Sequence, residues 1–307
     1  MKKEAIIVSS IISLFLVSVV VGIAHTRSMN AHAPFESDLI ANSRRGIALL
    51  HVYSAIHTAE KHALNSPTSS DEIIDQLNAF EEDPRVKALI IRVNSPGGTV
   101  GASQELYNAV RRFKANKKIP VIVSIADVGA SGAYYMALAA DTIFANPGSM
   151  VGSIGVMMNS FSIAELSEKV GIKFHTYKSG PYKDILSNYR EPSKQEEEMI
   201  NTMIQNVHQQ FVRALIESRN MAPEKAQSIA NGSLYSGEQA LKKNLVDRLG
   251  GFQEALEYAA ESAGIKGRPM LIKHESMPFF NFVNMLRNQV FYLFEASLPK
   301  FSWPQLR

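Results

Sequence analysis

The chain has 307 residues, of which 46% are apolar and 20% are charged, and its net charge at pH 7 is +3. This composition is typical of a globular protein with a sizeable core. Its Lys and Arg are interspersed with Asp and Glu, so it lacks the clustered basic stripe of a nucleic-acid-binding protein, and we expect no nucleic-acid partner. The absence of cysteine excludes disulfides, thiolate metal sites and cysteine nucleophiles.

The first 25 residues have the features of a membrane anchor. Lys2 and Lys3 precede an uncharged run, Ala5–Ala24, that is rich in Ile, Val and Leu. A helix of that length rises about 30 Å, enough to cross a bilayer core, whereas a cleavable signal peptide has an apolar core of only about 7–15 residues. We therefore expect an uncleaved anchor over residues 1–25 and a linker over 26–45; a cleaved signal peptide remains the alternative.

From residue 46 onwards, short apolar strands alternate with helical periodicities. Ser70 is a candidate helix N-cap, because acidic residues follow it in the first turn. This alternation predicts parallel βαβ units, and hence an α/β domain. The predicted strands are 46–56, 86–93, 120–126, 142–145 and 173–177, and the later predicted helices are 195–219, 223–230, 237–244 and 252–263.

The C-terminal region, 266–307, is predicted to hold a strand followed by an amphipathic helical tail. From Pro278, apolar residues recur at three- and four-residue intervals with polar residues on another side. Such a helix can lie on a membrane surface or pack on the domain or on a neighbouring subunit. Both interpretations stay open.

Two small-residue motifs are candidates for a catalytic centre. The turn Asn94–Gly98 (NSPGG) follows a strand, and its paired glycines leave backbone N–H groups uncovered, as an oxyanion hole requires. Ser131 lies among small residues at a predicted strand-to-helix junction, similar to a nucleophile elbow. On its own, Ser131 could equally be a helix N-cap, and the turn could be only a turn.

A serine nucleophile needs a base, and the spacing disfavours histidine. The chain has eight histidines, but none lies between Ser131 and His175, and none accompanies an acidic residue in a triad pattern. Lys178 and Lys183 remain as candidates. A lysine base must be neutral, so burial must lower its pKa from about 10.4 by roughly 3–5 units.

Six short motifs occur in the order seen in the signal peptide peptidase A family, and together they cover residues from about 46 to 262. The chain therefore resembles that family in its short, single-domain form. The motifs are Asn94–Gly98 (NSPGG), Asp127–Tyr135 (DVGASGAYY), Ala139–Asp141 (AAD), Gly152–Val156 (GSIGV), Lys178–Asp184 (KSGPYKD) and Leu245–Gly250 (LVDRLG).

The resemblance implies a crotonase/Clp-like βαβ superhelix with a C-terminal helical region, and a peptidase domain over residues 46–265. It implies Ser131 as nucleophile, Lys183 as base, Gly98 and Gly132 as oxyanion donors, and Ser153 as the hydroxyl that orients the lysine. Ser153 could also be an ordinary turn serine. No metal or cofactor is required.

By the same resemblance, we expect a homo-oligomeric ring that hydrolyses apolar peptides such as cleaved signal peptides. With the anchor and the positive-inside rule, it implies a single-pass protein of the bacterial inner membrane whose catalytic domain is extracytoplasmic. Two alternatives are a crotonase-type acyl-CoA enzyme, which has no use for a Ser/Lys pair, and a non-catalytic membrane scaffold.

Overall fold

The computed structural model describes residues 45–58 and 69–274. The predicted anchor at 1–25, nearly all of the predicted linker and the amphipathic tail after residue 278 lie outside the described residues. In the part of the chain that the structure describes, no helix is both long enough and apolar enough to cross a bilayer.

The described residues form one mostly parallel sheet flanked by helices, so the predicted α/β class is confirmed. The strands are β1 Gly46–Tyr53, β2 Val86–Ser95, β3 Val121–Ala130, β4 Thr142–Ala145, β5 Met150–Gly152, β6 Leu234–Ser236, β7 Arg248–Leu249 and β8 Met270–Ile272. The helices are α1 Ser70–Glu82, α2 Val100–Lys117, α3 Gly132–Ala137, α4 Ala164–Lys169, α5 Lys194–Arg219, α6 Pro223–Ile229, α7 Gly237–Lys242 and α8 Phe252–Ser262.

The sheet branches at β3, in the order β6-β5-β3-β2-β1-β8, with β4 and β7 off this path. The first half of β3, Ile122–Ile125, pairs with β4, and its last three residues, Val128–Ala130, pair with β5. Every pairing is parallel except β5 with β6. The branch leaves the carboxyl end of β3 beside β5, where the chain turns into α3.

Alternate side chains of the central strands enter two cores. Leu50 and Val52 of β1 lie in the larger core with α1, α2, α3 and α5, whereas Ile47 and Leu49 lie against α8 on the other face. This alternation follows from the two-residue period of a strand. Each such aliphatic side chain contributes about 1.5–3 kcal/mol when it is fully buried.

Two local predictions from the sequence were wrong. The N-cap of α1 is Ser69, whose hydroxyl accepts a hydrogen bond from the Glu72 N–H; Ser70 is the first helical residue. Residues 173–177 form no strand. Their aromatic and Thr content favours extended backbone, but all five side chains are exposed and no edge of the described sheet pairs with them.

Candidate active site

Ser131 lies in a conformation that few non-glycine residues adopt. It separates β3 from α3, with φ 50° and ψ −124°. A non-glycine residue at positive φ is strained by about 1–3 kcal/mol, and such strain concentrates at functional sites. The Ser131 N–H donates to the Gly152 carbonyl at 2.8 Å, which ties the turn to β5. Its hydroxyl has no hydrogen-bond partner among the described residues.

The turn after β2 packs directly against this junction. A Cβ on Gly97 would lie 2.6 Å from the Gly132 nitrogen and 2.8 Å from the Ser131 Cβ. A Cβ on Gly98 would lie 1.8 Å from the Ile56 carbonyl oxygen, and one on Gly132 would lie 2.1 Å from the Ser103 Oγ. Only glycine allows these backbones to approach so closely.

The close approach brings two unpaired amides to the serine. A Cβ on Gly132 would lie only 3.2 Å from the Gly98 nitrogen. Neither the Gly98 N–H nor the Gly132 N–H has an acceptor within residues 45–58 and 69–274. Backbone donors left free beside a hydroxyl are the requirement for holding the oxyanion of acyl transfer.

A small pocket opens beside these groups, with a volume of about 30 Å³. Its lining includes Gly98, Ser131 and Gly132 together with Val207 and Phe211 of α5. The complete lining is Gly98, Val100, Ser103, Gln104, Ser131, Gly132, Tyr135, Gly155, Val156, Val207 and Phe211. No histidine is among these residues. The pocket suits an apolar side chain of modest size.

An aromatic stack fixes the pocket's far wall. Tyr135 packs edge-to-face on Phe211, with ring centroids 4.7 Å apart, and on Tyr107 at 5.0 Å. Burial is the main cause of the raised pKa of Tyr135, so its hydroxyl stays neutral at physiological pH. These three aromatic residues were not among the site residues predicted from the sequence. Phe211 could have been found, because it is an apolar residue of the predicted helix 195–219, and it is buried in the structure.

Ser153 lies one residue beyond β5, close in the chain to Gly152, whose carbonyl holds Ser131. It also has positive φ, 50°, and its N–H donates to the Ser233 carbonyl at 2.8 Å. The Ser153 side chain is half-buried and is not part of the pocket lining. The structure therefore places Ser153 next to the serine turn but outside the pocket itself.

Lys183 is not brought to the pocket within the chain. Its side chain is exposed, does not line the pocket, and forms no ion pair or hydrogen bond with the described residues. Lys178, the other candidate base, is engaged: its Nζ lies 2.7 Å from the Asp184 Oδ1. Of the two candidate bases, Lys178 is therefore ion-paired and Lys183 is not.

Lys183 belongs to a surface segment, residues 156–189, that we call the apolar arm. The arm exposes eleven large apolar or aromatic side chains: Met157, Met158, Phe161, Leu166, Val170, Ile172, Phe174, Tyr177, Tyr182, Leu186 and Tyr189. Tyr177 is 95% exposed and Met157 is 76% exposed. An apolar surface on this scale indicates an interaction site.

Comparison with known proteins gives matches to two protease families and to individual proteases. The family model for peptidase family S49 matches residues 113–266, and that for Clp protease matches residues 50–151. A Synechocystis protein named as a protease is 38% identical over 73% of this chain and 76% of its own length. An Enterococcus faecium protein named as a signal peptide peptidase, SppA, is 35% identical over 60% of this chain. Protease 4 of Salmonella typhi is 32% identical over 72%. This chain spans 53% and 35% of the last two.

Proposed function

Because this chain belongs to peptidase family S49 and is a serine-type peptidase, we propose that it cleaves peptides with a Ser/Lys dyad formed by Ser131 and Lys183. The observation that carries the proposal is the convergence of the strained Ser131 with the free N–H groups of Gly98 and Gly132 at one pocket. The family match favours a peptidase over an acyl-CoA enzyme or a scaffold.

In the proposed reaction, neutral Lys183 takes the proton from the Ser131 hydroxyl as Oγ attacks the peptide carbonyl carbon. The N–H groups of Gly98 and Gly132 donate hydrogen bonds to the resulting oxyanion. Lys183 then gives its proton to the leaving amine, and water hydrolyses the acyl-enzyme to regenerate Ser131. Ser153 is proposed to orient the lysine, and no step needs a cofactor.

The exposure of Lys183 points to a dyad completed by a second copy of the chain. A lysine base must be held in a water-poor environment to be neutral, and the surface of one subunit does not offer this to Lys183. The apolar arm that carries it is suited to bury against a neighbour. We propose a homo-oligomeric ring in which the arm of one subunit delivers Lys183 to the Ser131 of the next.

The proposed substrates are apolar peptides, including signal peptides after their release. Val100, Val156, Val207 and Phe211 make the pocket mostly apolar, and one relative is named as a signal peptide peptidase. We propose that residues 1–25 form a single-pass anchor in the bacterial inner membrane, which keeps the crotonase/Clp-like domain near such substrates on the extracytoplasmic side.

The primary test is hydrolysis of an apolar peptide by Ser131→Ala and Lys183→Ala variants. Each should lose activity by at least about 10³-fold, because a dyad acts as a unit, while its oligomeric state is retained. Lys169→Ala, which changes another exposed lysine of the arm, is the matched control and should keep activity. Activity in the Lys183→Ala variant close to the wild-type level would rule out the dyad.

A mixing experiment tests the intersubunit arrangement separately. Rings assembled from Ser131→Ala and Lys183→Ala subunits contain interfaces with one intact serine and one intact lysine. If the dyad spans two subunits, mixed rings regain part of the wild-type activity. If both residues of a dyad come from one subunit, mixed rings stay as inactive as either variant.

A further inference from the structure

The guanidinium of Arg190 holds two carboxylates at once. Its Nε and Nη2 donate to the two carboxylate oxygens of Asp184 at 2.9 and 2.7 Å. Its Nη1 donates to the Glu196 Oε2 at 2.8 Å, and Nη2 also donates to the Glu196 Oε1. Further bonds reach the carbonyls of Asp184 and Glu191. A planar fork with this many donors is a geometry that lysine cannot reproduce.

One of these carboxylates belongs to the residue next to the proposed base. Asp184 follows Lys183 directly and also accepts from Lys178 Nζ, which in turn donates to the Pro181 carbonyl at 3.0 Å. The turn is closed by the Lys183 N–H, which donates to the Gly180 carbonyl at 3.2 Å. The backbone on both sides of Lys183 is therefore fixed by hydrogen bonds.

The other carboxylate anchors this cluster to α5. Glu196 is only 2% exposed, and it completes a capping box with Ser193 at the start of the helix. Hydrogen bonds from Arg190, then from Ser193, lower the pKa of Glu196 to about 2. Further along the same helix, Val207 and Phe211 form the pocket wall. Arg190 thus links the Lys183 turn to the element that borders the site.

The same contacts use most of the hydrogen-bonding capacity of Asp184, which makes no ion pair with Lys183. A carboxylate has about four lone-pair positions, and Arg190 and Lys178 occupy three of those on Asp184. Lys178, Arg190, Asp184 and Glu196, the ionisable groups in this cluster, balance to zero net charge. If Arg190 were absent, the freed carboxylate beside Lys183 would stabilise its ammonium form.

We propose that Arg190 is a positioning residue for the reaction: it clamps the Lys183 turn to α5 and occupies Asp184, so that Lys183 is presented as an unpaired amine. This inference rests on the proposed Ser/Lys dyad. Arg190 itself does not line the pocket and acts through Lys183.

A second clamping arginine, this one at the end of α5, provides a matched comparison. Arg219, at the end of the helix, makes a bidentate pair with Asp247 at 3.0 and 2.8 Å and donates to the Asn244 carbonyl at 2.7 Å. It is a clamp of similar geometry that touches neither the Lys183 turn nor the pocket. Its loss should affect stability alone.

The experiment measures pH profiles of kcat and kcat/KM for Arg190→Gln, Arg190→Lys and Arg219→Gln in the assembled full-length enzyme. We expect Arg190→Gln to lower kcat about 10²-fold with little change in KM, since a displacement near 1 Å can cost that much. The acidic limb of the pH profile of Arg190→Gln should move up by about one pH unit, because the freed Asp184 carboxylate favours the ammonium form of Lys183. Arg190→Lys should recover only part of the loss.

Two comparisons separate the possible outcomes. Adding Asp184→Asn to Arg190→Gln should return the acidic limb of the pH profile towards its wild-type position. Arg219→Gln should lower the melting temperature and leave the acidic limb where it is in the wild type. If Arg190→Gln behaves as Arg219→Gln does, the positioning role is wrong even when Lys183→Ala is inactive. If Lys183→Ala is active, the dyad itself is wrong, and the inference falls with it.

Discussion

The two halves of the proposed dyad are built in different ways. Ser131 lies between a buried strand and helix, in contact with glycine turns that leave no room for a methyl group. Lys183 lies on the exposed apolar arm, and hydrogen-bonded ion pairs rather than packing fix its backbone. A single chain thus brings Ser131 together with the free N–H groups that we propose as oxyanion donors, whereas it leaves the proposed base, Lys183, on the surface. The surroundings of Ser131, the serine half, should therefore be sensitive to added side-chain volume. The surroundings of Lys183, the lysine half, should be sensitive to changes of charge.

The largest effect of volume is expected at Gly132. A methyl group there would lie 2.1 Å from the Ser103 Oγ and should displace the oxyanion donors, so Gly132→Ala should lower kcat/KM about 10²-fold. Adding Ser103→Ala removes the nearest atom and should restore part of the activity. Gly148→Ala, at a position with nothing within 4 Å, is the control and should be silent. Equal activities for all three variants would contradict the account of the serine half.

A smaller effect of volume is expected at the pocket wall. Val207→Ala should widen the pocket, so that kcat/KM for a peptide with a large side chain before the scissile bond rises about tenfold relative to one with alanine. Met203→Ala changes an exposed residue on the same helix and should leave the ratio unchanged. A ratio that does not respond to Val207→Ala would mean that this pocket does not receive the substrate side chain.

The smallest expected effect is a local opening around Lys183 at acidic pH. Hydrogen bonds from Arg190 lower the pKa of Asp184 and bring that of Glu196 to about 2. A carboxyl group whose pKa is lower in the folded state contributes stability above its unfolded pKa, and this is lost as the pH falls through the folded value. Residues 178–191 should remain clamped at neutral pH and open between about pH 4.5 and pH 2.

Hydrogen exchange followed by mass spectrometry, corrected for the intrinsic pH dependence of exchange, measures this opening. Peptides from 178–191 should lose protection in that window, whereas the buried strand β3 should keep it until the whole domain unfolds. Simultaneous loss of protection in both regions would show that the ion pairs do not form a separate unit.

The sequence predicted the buried part of the molecule better than the arm. The strand Thr142–Ala145 was predicted with the observed bounds, and α5 was predicted within one residue, because apolar periodicity reports burial directly. The same logic failed at residues 173–177, where β-favouring residues lie on an exposed surface. An extended segment becomes a strand only beside a partner, and that information is absent from the segment itself.

The candidate site shows the same division. Ser131 and the turn Asn94–Gly98 could be proposed from small residues at strand ends, since the carboxyl ends of neighbouring parallel strands meet at one edge of a sheet, whereas Gly98 and Gly132 as the individual donors were implied by the family resemblance. The link between Arg190 and Glu196 could not be predicted from the sequence, because it depends on how the chain folds back between Asp184 and α5. Periodicity does not encode that path.

The distance between Ser131 Oγ and Lys183 Nζ in an experimental structure of the assembled full-length protein tests the central claim most directly. We predict that at least one pairing of subunits brings the two atoms within about 2.6–3.2 Å, with the amine buried from solvent. A closed assembly in which every Lys183 remains exposed and beyond reach of every Ser131 would contradict the Ser/Lys mechanism.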